Sequence, residues 1–237
     1  MHEGGHALYE LHTGDDLRFT SLAAGASSSI HESISRFFEN IIGRSKGYCA
    51  FILPKMKELF PEQFSGVSPE EFYAAVNIAE PFLIRTESDE LTYCLHVMVR
   101  YEIEKALISR RITVADLPRV WNEKMKEYLG VDVPNDTKGV LQDSHWSSGY
   151  FGYFPTYAMG NAYGAQMLER MKRDVDVEGC CAAGDLTPVV NWLDEHVFRF
   201  GCMLDPVPLF EQYCGAKFTP EPYCHYLKEK YGEIYGL

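Results

Sequence analysis

The sequence predicts a mainly α-helical protein. Three observations carry this: apolar residues recur at three- and four-residue intervals over most of the chain, alternating strand-like stretches are scarce, and helix-start signals recur. Ser68-Pro69, Thr187-Pro188 and Thr219-Pro220 each set a capping hydroxyl beside a proline suited to a first helical turn. The 237 residues are 46% hydrophobic and 24% charged, ordinary proportions for a folded chain, so a single helical domain over 1–237 is expected.

In chain order, a first helix opens at the amino terminus and stops at Gly14, which follows His12-Thr13 as a carboxy-terminal cap would. Residues 15–28 form a small-residue loop ending in a serine run. A second helix is expected from Ile30 to Arg44, where Ile30, Ile34, Phe37, Phe38, Ile41 and Ile42 keep helical spacing. Lys46 to Leu59 reads as a helix with a kink or break at Pro54. After the helix begun by Ser68-Pro69, the longest one runs from Glu87 to Arg110, with Leu91, Leu95, Met98, Val99 and Ile103 on one side. His96 falls among these apolar residues and reads as a core histidine. Thr113 to Leu129 is the next amphipathic helix, ended by Gly130. Residues 131–154 are polar, glycine-bearing and aromatic, an ordered active-site loop with at most short strands. Helices return over Thr156–Arg173, Thr187–Phe200, Pro206–Cys214 and Thr219–Tyr231, with no internal repeat and no low-complexity tract.

Charge narrows the partners. The net charge is −12, from 34 acidic and 22 basic residues, and no Lys/Arg-rich block interrupts it, which disfavours nucleic-acid binding. No run of 18 apolar residues and no charged-then-apolar start occurs, so neither a membrane span nor a secretion signal is expected and the location reads as cytoplasmic. Seven cysteines without Cys-x-x-Cys spacing read as free thiols and offer no zinc ribbon.

The stretch carrying chemistry is His2-Glu3-Gly4-Gly5-His6, the His-Glu-x-x-His spacing of zinc proteases. Residues four apart on a helix share a face, so His2 and His6 can present imidazole nitrogens to one metal ion. Glu3 lies about 100° around the helix, where its carboxylate reaches a metal-bound water without binding the metal. That is the place of a general base. Gly4 and Gly5 each cost the helix roughly 1 kcal/mol relative to alanine, so something other than propensity must keep them, close approach of a substrate or another backbone being one such reason. A third ligand is needed, commonly a carboxylate. Glu32 and Glu39 on the second helix both qualify. Against them, Ser29-x-x-Glu32 matches a capping box, and Glu39 suits a solvated or salt-bridged face.

Four motifs, His-Glu-Gly-Gly-His, then His31-Glu32-Ser33, then Ile84-Arg85-Thr86-Glu87-Ser88-Asp89-Glu90, then Gly139-Val140-Leu141-Gln142-Asp143-Ser144-His145-Trp146, match in order and spacing. Together with the aromatic run Gly149–Tyr157, they make this chain resemble the thermostable carboxypeptidase (carboxypeptidase Taq) family of metallocarboxypeptidases. The resemblance implies a zincin-like, multi-helix catalytic scaffold and selects Glu32 as third ligand beside His2 and His6. It implies removal of C-terminal amino acids from peptide substrates by metal-activated water, with Glu3 as base. The metal expected is a single divalent ion, zinc first, with cobalt or manganese able to occupy such a site.

In the same family stretches, His145, Tyr153 and Tyr157 are candidates to donate hydrogen bonds to the developing oxyanion. Arg85 is the candidate to receive the terminal carboxylate, with a salt bridge to Glu87 or Asp89 as the alternative. Gln142 either faces substrate or closes its loop. Asp89 and Asp143 are candidates to orient a metal-binding imidazole. Ser88 stands where the family usually has alanine. Family members are longer, with the His-Glu-x-x-His helix near the middle, and the upstream motifs His-Pro-Phe and Asp-x-Arg-x-Thr are absent here. The chain therefore resembles the carboxy-terminal half, which predicts an exposed apolar face and association through it, as a homodimer or with a partner half. A non-catalytic helical interaction module is the other reading.

Overall fold

A computed structural model describes residues 1–237. Twelve α-helices form, joined by short 3-10 turns, and no strand forms anywhere. They are α1 (His2–Leu11), α2 (Ser28–Arg36), α3 (Lys46–Leu59), α4 (Pro61–Phe64), α5 (Pro69–Val76), α6 (Glu90–Ile108) and α7 (Leu117–Leu129). The rest are α8 (Pro155–Met171), α9 (Val177–Ala183), α10 (Thr187–His196), α11 (Pro206–Cys214) and α12 (Glu221–Tyr235). None is long and apolar enough to cross a membrane. The chain gathers into two compact units, one of Met1–Asn77 with Met159–Leu237, the other of Ile78–Ala158.

The first unit is built on α1, α2 and the inner part of α8. Its core holds Tyr9, Ile30, Ile34, Phe37, Met167, Leu193, Phe198 and Phe210, each buried, and each large apolar side chain so buried stabilises by about 1.5–3 kcal/mol. Two glycines let backbones touch in this core. A Cβ at Gly5 would stand 2.6 Å from Ser35 Cα, and one at Gly160 would stand 2.6 Å from Glu32 Cβ. Alanine at either position would force its helix away from α2.

Side-chain caps set the helix starts. Ser27 caps α2 by accepting from Ile30 N, so Glu32 is not the capping glutamate that Ser29-x-x-Glu32 suggested. Past Arg36, α2 continues as a π-helical turn over Phe37–Ile42, a widening that recurs at functional sites. Pro54 does not break α3, which runs unbroken from Lys46 to Leu59. Ser68 and Glu71 close a reciprocal capping box on α5.

In the second unit α6 and α7 pack through Val99, Ile103, Trp121, Met125 and Leu129. The expected helix from Glu87 begins instead at Glu90, because Asp89 caps it by accepting from Thr92 N at 2.8 Å. Gly130, at φ +72°, ends α7 in the left-handed region, as a glycine cap should. Residues 131–154 contain a 3-10 turn at Asp136–Lys138 and a succession of tight turns. The short strands allowed for do not form: Gly149 and Gly152 take φ near +80° and the local backbone bonds run two to five residues back.

Candidate metal centre

The site starts from one turn of α1. His2 and His6 lie on the same face with ring centroids 4.9 Å apart. The Gly5–Ser35 contact brings α2 close enough for Glu32, only 3% exposed, to sit against both rings. Glu32 Oε2 lies 3.8 Å from His2 Nε2 and Oε1 lies 4.0 Å from His6 Nε2. One ligand atom from each of the three residues falls within 4.8 Å of the others. Glu3, on the same helix, is exposed.

Each imidazole is held from behind. His2 Nδ1 bonds Glu39 Oε2 at 2.7 Å. Glu39 also accepts from Arg36 Nη1 at 2.9 Å, and Arg36 Nε donates to Asn161 Oδ1 at 2.9 Å. A carboxylate only accepts, so the His2 ring hydrogen belongs on Nδ1 and its lone pair on Nε2. Burial pushes the Glu39 carboxyl up, but the His2 hydrogen bond and the Arg36 charge outweigh it and hold Glu39 below its ordinary value. Glu39 is thus placed behind a candidate ligand, in the role the sequence had offered Asp89 and Asp143. His6 Nδ1 meets His31 Nδ1 at 3.2 Å. Burial first, then the neighbouring His2 and His31, lowers the pKa of His6, which keeps the ring neutral and its lone pair available.

This donor set fits a zinc-type ion. Two neutral imidazoles and one carboxylate leave a fourth position open, as catalytic zinc requires. Metal–ligand bonds of about 2.1 Å in tetrahedral array put ligand atoms about 3.4 Å apart; the two His–Glu32 pairs stand at 3.8 and 4.0 Å and the three ligand atoms lie within 4.8 Å of one another, so the side chains must draw inward around an ion.

The remaining candidates lie in the second unit, and several are corrected. Arg85 is buried and already bonded: Nη2 and Nε donate to Asp143 Oδ1 at 2.7 and 3.2 Å, and Nη1 to the Tyr93 hydroxyl at 2.7 Å. Its partner is neither Glu87 nor Asp89. Asp143 also accepts from the fully buried Arg100 at 2.5 Å. Burial raises the Asp143 carboxyl, but the two guanidinium charges, Arg100 foremost, bring it below its ordinary value. Asp143 therefore neutralises arginines instead of orienting a ligand imidazole; the nearest ring nitrogen, His145 Nδ1, is 3.9 Å away.

Asp89 is likewise occupied, by Thr92 N, Thr92 Oγ1 and Glu80 N. The Gln142 amide donates to Thr137 O and closes its loop. His145, Tyr153 and Tyr157 do come together: His145 Nε2 bonds the Tyr157 hydroxyl at 3.1 Å, and the three line a cavity of about 410 Å³ with Ser144, Ser148 and Tyr150. The sequence reading missed Glu10, His31, Arg36 and Arg100. Glu10 stands one helical turn past His6 and His31 directly precedes Glu32, the two spacings that could have found them.

A helical scaffold holding His-Glu-x-x-His against a buried glutamate has the arrangement of a zinc-type metallopeptidase. The comparisons make this particular: the sequence profile of the Carboxypeptidase Taq (M32) metallopeptidases matches residues 1–231, and the chain belongs to that family. Carboxypeptidase 1 of Bacillus subtilis (strain 168) is 42% identical over 238 residues, covering 100% of this chain and 48% of the relative. Among solved structures, the M32 carboxypeptidase of Deinococcus radiodurans R1 superposes with a TM-score of 0.96 at 40% identity, over 100% of this chain and 48% of that one. A Pyrococcus furiosus carboxypeptidase structure designated Apo-Mg does so with a TM-score of 0.94 at 42% identity, over 97% of this chain and 46% of that one. The chain spans about half the length of the curated relatives it matches.

Proposed function

We propose that this chain carries the metal centre of a carboxypeptidase that releases C-terminal amino acids from peptides. The observation that carries the reading is the convergence of His2, His6 and Glu32, with the Nδ1 of each imidazole occupied by a neighbour and Nε2 facing Glu32. A divalent ion held there, zinc first and cobalt or manganese as alternatives, supplies Lewis acidity that lowers the pKa of water and polarises a carbonyl.

The chain's own residues supply the rest. Glu3, exposed on α1 one residue past His2, accepts the proton of the attacking water and returns it to the leaving amine. His145, Tyr153 and Tyr157 offer an imidazole and two phenols as donors toward developing negative charge. The seven cysteines form no disulfide, which suits a reducing, cytoplasmic location. Exposed Leu91, Met98, Tyr101 and Ile108 along α6 support self-association, which sedimentation checks.

Competition of the 237-residue chain and its Glu32→Ala variant against a chromophoric chelator tests the centre. One-to-one zinc binding, weakened about 100-fold or more in the variant, is expected from the loss of one of three protein ligands. Equal binding by the two proteins would refute the assignment.

A further inference from the structure

Behind His6 the hydrogen bonds continue. His31 Nδ1 stands 3.2 Å from His6 Nδ1, and His31 Nε2 stands 2.6 Å from Glu10 Oε1. The three side chains fix one another's hydrogens. Because the Glu10 carboxylate can only accept, neutral His31 carries its hydrogen on Nε2 and turns a lone pair from Nδ1 toward His6. The hydrogen between the two rings then belongs to His6 Nδ1. His6 Nε2 is left with its lone pair directed to the side where Glu32 Oε1 lies 4.0 Å away.

The surroundings are built for this pair. The Tyr9 ring packs on His31 with centroids 4.8 Å apart, and the Tyr9 hydroxyl accepts from Ala26 N at 3.1 Å. That bond holds the 25–26 segment against α1. Gly25 N adds a second donor to Glu10 Oε1, at 3.2 Å. A Cβ at Gly25 would strike the His31 ring, so only glycine lets the segment close over the pair. His2, by contrast, receives its carboxylate directly from Glu39.

We propose that His31 and Glu10 are positioning residues of the metal centre, a relay that fixes His6 in the Nδ1–H tautomer and so presents Nε2 to the ion. This rests on the His2–His6–Glu32 reading and extends it outward by two residues. Partners of this kind orient a ligand imidazole and raise its basicity, and their loss typically weakens metal binding about 10- to 100-fold. The two ligands are braced unequally: Glu10 is about half exposed and acts through the His31 ring, whereas Glu39 acts at first hand and is itself held by Arg36. Glu10→Gln should therefore cost less affinity than Glu39→Gln.

The test uses the metal-free 237-residue chain labelled with ¹⁵N-histidine, in which long-range ¹H–¹⁵N correlation reads the His6 tautomer at neutral pH, together with zinc affinity by chelator competition. In the parent chain His6 should be Nδ1–H. His31→Phe, which keeps ring size and removes both nitrogens, should shift His6 toward Nε2–H and lower zinc affinity about 10- to 100-fold. His31→Asn, which returns an acceptor near the position of Nδ1, should restore the tautomer and most of the affinity. Glu10→Ala, at a surface residue, should give an intermediate shift and serves as the deciding variant should His31→Phe fail to fold.

A His6 ring that stays Nδ1–H, with affinity within about twofold of the parent in the folded variants, would overturn the relay and leave His31 a packing residue. Absence of zinc binding by the parent chain would instead overturn the metal centre itself. The tautomer measurement decides the relay in either case.

Discussion

Replacing Gly5 with alanine should loosen both the fold and the metal centre, while the same change at the adjacent Gly4 should strengthen the helix. A Cβ at Gly5 would meet Ser35 Cα at 2.6 Å and both Ile34 O and Ser35 N at 3.0 Å, all backbone atoms with no rotamer to move. Carbon atoms pack comfortably at about 3.5–4.0 Å, so α1 must retreat from α2 by about 1 Å. Overpacking of this kind costs about 1–3 kcal/mol, and alanine's better helix propensity returns about 1. A net loss of about 1 kcal/mol should follow. At Gly4 nothing lies within 4 Å of the added Cβ, so alanine there keeps the propensity gain of up to about 1 kcal/mol. The proposed metal centre magnifies the difference. Functional constellations tolerate displacements of about 0.5 Å, and α1 carries His2 and His6 whereas α2 carries Glu32. Zinc affinity should therefore fall about tenfold or more in Gly5→Ala and hold in Gly4→Ala. Urea unfolding and chelator competition on the two variants give both readouts. Equal stability and affinity for Gly5→Ala and the parent would show that the α1–α2 contact does not set the ligand geometry.

Three further outcomes are expected. In any form of the protein with measurable carboxypeptidase activity, Glu3→Gln should lower the hydrolysis rate about 10²- to 10⁴-fold, the usual range for a general base; zinc affinity should be unchanged, and retained hydrolysis would exclude Glu3 from that role. His96 is fully buried with both ring nitrogens unpartnered, and burial above all, aided by Arg100 and Arg85, lowers its pKa to about 3. Between the ordinary value near 6.5 and about 3 the unfolded chain binds a proton that the folded chain does not, so stability is lost as the pH is lowered through this window, by up to about 1.4 kcal/mol per unit. His96→Leu should flatten that slope in urea titrations at pH 7 and pH 5, and an unchanged slope would refute the assignment. Finally, the single helical catalytic domain proposed for 1–237 should unfold in one calorimetric transition, whereas two transitions would show that the compact units melt separately.

The helices were legible wherever a start or stop signal is chemically unambiguous. Ser68-Pro69-Glu70-Glu71 reads as a capping box in sequence and forms one, and Gly130 ends α7 because the left-handed turn there suits glycine. Boundaries slipped where several residues competed for one job. Three serines precede Ile30, and it is Ser27 that caps; either Glu87 or Asp89 could open α6, and the Asp89 side chain decides. Pro54 misled for a related reason. Proline removes one helical hydrogen bond, but Leu53 and Cys49 beside it are buried, and tertiary packing holds α3 together across the loss.

At the site, what sequence could find was what one helix determines. A four-residue spacing puts His2 and His6 on one face whatever the rest of the chain does, and Glu32 was singled out by family resemblance from two residues that spacing alone left equal. The supporting groups are of another kind. Glu39 reaches His2 across a π-helical turn, and His31 reaches Glu10 only because Gly25 and Tyr9 close a loop over them. Local spacing puts Glu10 a turn past His6 and His31 beside Glu32, but the contacts that join these groups across the chain are not encoded in it. Arg85 makes the same point with a charge: its sequence neighbours Glu87 and Asp89 looked like natural partners, yet it pairs with Asp143, 58 residues away, which also serves Arg100. A guanidinium that must be buried needs a carboxylate that is buried with it, and in this unit packing leaves that role to Asp143, about one-eighth exposed and in contact with both arginines. Bonded to Asp143 and Tyr93, Arg85 holds its loop to α6.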